Sequence, residues 1–199
     1  MHHLAISITD LGDSAVTLPM AAVTILILLG LRRVGPAVLW GGSVVACALT
    51  IGVLKLILTA AASHHSPTGF SSPSGHAGMS AIVYGGFVLL IGPSLAPAER
   101  WLARLGAVVL IAAIAVSRIV LHEHSLAETA VGLGIGLAAL TGLNAAFKRA
   151  PAQRVPAIWL CAAAVATILA MHGTRWRAEH MIRDLASSDV THTLLPGRG

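Results

Sequence analysis

The sequence predicts an all-α integral membrane protein, a bundle of six transmembrane helices whose polar chemistry gathers at the outer helix ends. Three observations carry that expectation. The chain is 56% hydrophobic and only 11% charged, where soluble domains carry roughly 25% charged residues. Its apolar residues fall in runs close to the about 20 that a membrane-crossing helix needs. The 13 Lys and Arg stand in ones and twos between those runs. No basic face forms, so nucleic acid is not an expected partner and the lipid bilayer is.

The apolar runs lie at Ser14–Leu31, Ala37–Leu58, Ala77–Leu95, Trp101–Ser117, Ser125–Phe147 and Pro156–His172. Through the end of the first run, residues 1–31 hold no Lys or Arg. The positive region of a signal peptide is thus absent, and this run is expected to remain as a span. Short connections follow at Arg32–Pro36, Ala96–Arg100, Arg118–His124 and Lys148–Val155, with a longer loop at Thr59–Gly75. Residues 1–172 then form one six-span domain. The polar segment 173–199 is expected to hold a surface helix near Arg175–Leu185 and a tail. Cys47 and Cys161 both sit inside apolar runs, which suits packing and neither a disulfide nor a metal ligand.

Charge bias orients the bundle. Arg32, Arg33, Arg100, Arg104, Lys148, Arg149 and Arg154 fall on one side. The positive-inside rule places that side in the cytoplasm and both termini outside. The expected location is a bacterial inner membrane, with the opposite helix ends facing the periplasm. Trp40, Trp101, Trp159 and Trp176 fall at span ends, as an aromatic belt requires.

Ionisable residues concentrate on the outward side, in two clusters, where membrane margins penalise them unless they reach water or serve a site. The first cluster holds Lys55, His64 and His65, then Phe70-Ser-Ser-Pro-Ser-Gly-His76 running into an apolar helix. Ser74 is placed to cap that helix and Gly75 to let a ligand approach the backbone. The helix N-terminus favours an anion, and a histidine beside it can donate or accept a proton. The second cluster is Ser117-Arg118-Ile-Val-Leu-His122-Glu123-His124-Ser-Leu-Ala-Glu128. His124 and Glu128 share a helix face four residues apart, so the carboxylate can fix the imidazole tautomer and leave the other nitrogen nucleophilic. Arg118 offers a planar fork for phosphate oxygens. His122 and Glu123 read as solvated loop residues, and Gly132 and Gly136 as close helix packing.

In this order and on these spans, the two clusters resemble the phosphatidic acid phosphatase type 2 superfamily of membrane lipid phosphatases. Its pattern is Lys-x6-Arg-Pro, then Pro-Ser-Gly-His, then Ser-Arg-x5-His with an Asp four residues later. Pro73-Ser74-Gly75-His76 matches the second motif in full, and Ser117-Arg118 with His124 the third. The chain departs twice. Lys55 opens the first motif, but Ala62 and Ser63 stand where Arg and Pro belong, with His64 and His65 as adjacent substitutes. Glu128 stands in place of Asp.

The resemblance implies hydrolysis of a lipid phosphate or diphosphate without a metal or other cofactor. It makes His124 the nucleophile that becomes a phosphohistidine and His76 the acid and base. Lys55, Arg118, Ser74 and Gly75 become the phosphate cradle, and Glu128 the orienting carboxylate. Competing readings are a metal-dependent hydrolase built on His122-Glu123-His124, a proton-coupled carrier, a lipid phosphotransferase, and a lipid-phosphate-binding relative weakened by the lost arginine. Clean span centres count against the carrier.

Overall fold

The computed structural model describes residues 2–62, 72–150 and 154–173. Every regular element among them is helical: α1 (His2–Asp10), α2 (Ser14–Gly30), α3 (Val34–Ala62), α4 (Gly75–Ser80), α5 (Gly86–Ile91), α6 (Pro97–Val120), α7 (Leu126–Arg149) and α8 (Ala157–Met171). A π-helical turn, Ala81–Gly85, joins α4 to α5 into one continuous rod, which a 3₁₀ turn at Gly92–Ser94 ends.

Five segments are long and apolar enough to cross a membrane: His2–Gly30, Val34–Thr59, Gly75–Ser94, Pro97–Val120 and Leu126–Arg149. The sixth expected span is α8, and it has only 15 residues. At 1.5 Å per residue it reaches about 22 Å, short of the roughly 30 Å hydrocarbon layer. The sequence also gave no sign of α1. Its nine residues are set off from α2 by a corner at Leu11–Asp13, and α1 packs on α6.

The rod of α4 and α5 is the centre of the bundle. Its window is 78% buried, against 17–44% for the other four spans. α7, α6 and α3 pack around it, and α2 lies between α3 and α8. Small residues permit this. A Cβ on Gly136 would lie 2.2 Å from the carbonyl oxygen of Gly78, and one on Gly78 would lie 2.7 Å from that of Gly132. The close packing expected of Gly132 and Gly136 therefore joins α7 to α4. Farther along the rod, Gly86 makes room for the indole of Trp40, whose Nε1–H donates to the Ile82 carbonyl at 3.5 Å. Trp40 is wholly buried, so it belongs to the core and not to an aromatic belt. Trp101 and Trp159 are exposed, as belt residues would be. Trp176 and the expected surface helix near Arg175–Leu185 lie outside the described residues.

Two helices end in the same way. After α6, His122 adopts a left-handed φ of 56°, and its N–H bonds the Ile119 carbonyl while that of Glu123 bonds Arg118. This six-to-one and five-to-two pair is a Schellman turn. Arg32 makes the equivalent turn after α2, also at φ 56°. At the far end, Ser94 Oγ donates to the Val155 carbonyl at 2.7 Å and accepts from the Val155 N–H at 3.0 Å, tying two inter-helix connections together.

Candidate active site

Five chain segments meet at one end of the bundle: the α1–α2 corner, the last turns of α3, the start of α4, the end of α6 and the start of α7. The Schellman turn explains the five residues between Arg118 and His124. It reverses the chain within one turn, and the His124 N–H returns to the Arg118 carbonyl at 3.3 Å. Arginine and histidine are thus carried on a single rigid reversal.

Glu128 organises the start of α7. Ser125 caps the helix, its Oγ accepting the Glu128 N–H, and the Glu128 carboxylate reaches back to the Ser125 N–H at 2.9 Å. That reciprocal pair is a capping box. The same oxygen, Oε2, lies 3.2 Å from His124 Nδ1. A carboxylate only accepts, so Nδ1 carries the proton and Nε2 is left for chemistry. The other oxygen, Oε1, accepts from the Ser72 N–H at 3.1 Å, and the Glu128 carbonyl accepts from the Ser74 N–H at 3.0 Å. One residue therefore locks both clusters together. Its extra methylene relative to Asp lets it serve the helix cap and the histidine at once. Gly132 lets the loop approach, since a Cβ there would lie 2.2 Å from the Ser74 carbonyl oxygen.

Both side chains of the His124–Glu128 pair are 6% exposed. Burial holds the His124 imidazole below the usual histidine range. The hydrogen bond to Glu128 opposes this, while the Arg118 and Lys55 charges push the same way as burial. The result is a neutral imidazole at neutral pH.

Arg118 is buried, and its Nη1 donates to Thr9 Oγ1 at 3.0 Å while Nη2 lies 3.8 Å from Glu123. Glu123 and His122 are exposed, in keeping with solvated loop residues, although Glu123 also steadies the arginine. Among the described residues, no three His, Cys, Asp or Glu are arranged to hold a metal ion.

Ser74 departs from expectation. It precedes α4 at the capping position, yet its side chain makes no cap. Its Oγ is buried with no hydrogen-bond partner among the described residues. Its N–H is taken up by Glu128, which removes it from any anion cradle and leaves the N–H groups of Gly75 and His76. Gly75 sits beside Lys55: a Cβ there would lie 3.9 Å from Nζ, with no closer neighbour. His76 Nε2 lies 3.5 Å from Asp13 Oδ2. His64 and His65 fall outside the described residues, as does Ser63 of the altered first motif.

Sequence reasoning missed Thr9 and Asp13. Asp13 before an apolar run was legible as a helix cap, and it does accept the Ala15 N–H at 2.8 Å. Nothing in the sequence linked it to a histidine in another span.

Residues 54–152 match the family model of the PAP2 superfamily. That segment of the chain belongs to the PAP2 superfamily. It contains Lys55, the second and third motifs and Glu128, but not the α1–α2 corner. PAP2 proteins generally hydrolyse phosphate esters. The chain is also 28% identical to a Klebsiella pneumoniae protein described as an uncharacterized 22.5 kDa protein in cps region, over 91% of this chain and 89% of that protein. No solved structure matches significantly.

Proposed function

We propose that this PAP2 protein hydrolyses a phosphomonoester or diphosphate headgroup of a membrane lipid through a phosphohistidine on His124. The observation that carries the reading is the buried His124–Glu128 pair, with Nδ1 tied to the carboxylate and Nε2 turned away from it. In this scheme Nε2 attacks phosphorus in line. The bond from phosphorus to the leaving oxygen breaks, its electron pair stays on that oxygen, and His76 supplies the proton. Water then attacks the phosphorus and gives a proton to His76. The P–N bond breaks, which releases phosphate and restores His124.

Lys55, Arg118, the Gly75 and His76 N–H groups and the Ser74 hydroxyl hold the phosphoryl oxygens. Phosphoryl transfer depends mostly on such positioning and charge. With no arginine in the first motif, this cradle holds one fixed cation fewer than the family pattern. The headgroup lies level with the motif loops and the tails lie between helices. The basic connections at the opposite end argue for an outward-facing site in a bacterial inner membrane. Polyprenyl diphosphate, phosphatidate, phosphatidylglycerol phosphate and lipid A phosphate all present the required chemistry.

The test is phosphate release by purified protein in detergent from a panel of these lipids, with and without EDTA, beside His124→Ala. Release that survives EDTA and disappears in the variant supports the scheme. Release that requires a metal overturns it in favour of a metal-dependent hydrolase.

A further inference from the structure

We propose that Asp13 is the positioning carboxylate of His76, and that the α1–α2 corner is a third arm of the active site, supplied from outside the PAP2-matched segment. The proposal deepens the function just described and rests on it. The corner is built into the site at four points. Thr9 Oγ1 accepts from Arg118 Nη1 at 3.0 Å. Asp13 Oδ2 faces His76 Nε2 at 3.5 Å. Between them, the Tyr84 hydroxyl donates to the Leu11 carbonyl at 2.6 Å. Gly12 fits so closely that a Cβ would lie 2.5 Å from Ile114 Cγ2 and 3.3 Å from His76 Cβ. Thr9 and the Asp13 side chain are both largely buried.

Asp13 divides its two oxygens between two tasks. Oδ1 accepts the Ala15 N–H at 2.8 Å and caps α2, while Oδ2 is directed to His76. The cap fixes the carboxylate, and the carboxylate fixes the ring. With Nε2–H turned to Asp13, proton exchange with the leaving oxygen and with water runs through Nδ1 of His76. The site then holds two histidine–carboxylate pairs of opposite sense: His124 is held through Nδ1 and reacts at Nε2, and His76 is held through Nε2 and reacts at Nδ1. The 3.5 Å separation is long for a hydrogen bond, as catalytic contacts often are before substrate binds. A proton on the imidazole draws the two together.

The cap makes the idea separable from mere structure. Asparagine caps a helix about as well as aspartate, so Asp13→Asn preserves α2 while removing the charge beside His76. Among the described residues, the other titratable and charged groups at this end are Asp10 at the end of α1, Lys55 on α3, Arg118, His122 and Glu123 on the α6 turn, and His124 and Glu128 at α7. All are unchanged in the variant.

The experiment compares wild type, D13N, D13E and H124A as full-length protein in detergent, with dioleoyl phosphatidate and farnesyl diphosphate as probes. Two quantities are read: kcat and KM against pH, and the ¹⁵N signals of histidine-labelled protein with His76 identified through H76Q. D13N is expected to lose about 10- to 100-fold in kcat with KM within about threefold of wild type. The kcat–pH profile of D13N differs from that of wild type, because the charge facing the ring that exchanges the proton is gone. D13E recovers part of the rate. In the spectra, the Nε2–H form of His76 dominates in wild type and loses its preference in D13N.

A D13N protein with wild-type kcat, pH profile and His76 signals overturns the proposal and leaves Asp13 as a helix cap. So does a rate loss that only follows a lowered melting temperature. A wild-type protein that releases phosphate from neither probe, nor from the wider lipid panel, overturns the phosphatase reading and takes the catalytic part of Asp13 with it. The ¹⁵N signals then report separately whether the Asp13–His76 contact exists.

Discussion

Replacing Glu128 by Gln keeps the shape and removes the charge, and the bonds around it set the size of the effect. The carboxylate accepts from His124 Nδ1 and the Ser125 N–H at one oxygen and from the Ser72 N–H at the other. A glutamine offers one accepting atom. Aimed at His124 and Ser125 it keeps two bonds, and its NH₂ then opposes the Ser72 N–H. The reverse orientation loses two to keep one, so the first prevails. Setting donor against donor costs about 1–3 kcal/mol of stability. The tautomer of His124 survives, but the positive charge that develops on its ring loses its counter-charge. Exchanging a charged for a neutral partner is worth about 1–3 kcal/mol in the barrier, hence about 5- to 150-fold in kcat. Glu128→Ala frees the ring as well and should lose more of both rate and stability. Steady-state phosphate release and a thermal melt of the same samples measure the two effects. Should E128Q turn over within about twofold of wild type, or should E128A melt early yet keep its rate per folded molecule, Glu128 is a helix cap and not an orienting group.

The remaining expectations concern pH and backbone fit. His124 must be neutral to attack, and its folded pKa is held below the usual 6.5. Activity is therefore lost as pH falls through a value under 6.5, and because Glu128 opposes that depression, E128Q should move the acid limb lower still; the pH dependence of kcat/KM reports both. An acid limb above neutrality would contradict the burial argument. Gly132→Ala puts a Cβ 2.2 Å from backbone that cannot yield, whereas Gly134 has nothing within 4 Å. The first should cost about 1–3 kcal/mol or more and reduce activity, and the second should be neutral or gain about 0.5–1 kcal/mol, as read by paired melts. At His122, with φ 56° and an exposed side chain, glycine should stabilise by about 0.5–1 kcal/mol without changing kcat, and valine should destabilise.

Much of this protein was legible in the chain because the bilayer imposes one-dimensional rules. Apolar run length locates most of the helices, and backbone polar groups inside hydrocarbon must be satisfied within the helix itself. Local chemistry was legible too. His124 and Glu128 are one turn apart on one helix end, so their contact depends on helical geometry alone. The same reasoning failed wherever partners came from different spans. Trp40 has the sequence position of a belt residue but lies in the core, because Gly86 on the central rod opens a slot for it. Ser74 reads as a cap, yet its N–H is claimed by Glu128 from α7. α1 lacks the length to announce itself, and α8 stops short of a full span.

The sequence by itself determined the helical class, most of the span positions, the family of residues 54–152 and the residue types of the candidate site. Only the tertiary structure decided which groups face one another: Glu128 against Ser72, Thr9 against Arg118, Asp13 against His76. The reason is physical. Periodicity and capping act over a few residues, whereas these contacts join positions 56, 109 and 63 residues apart. They exist because helices packed at glycine contacts bring their ends together.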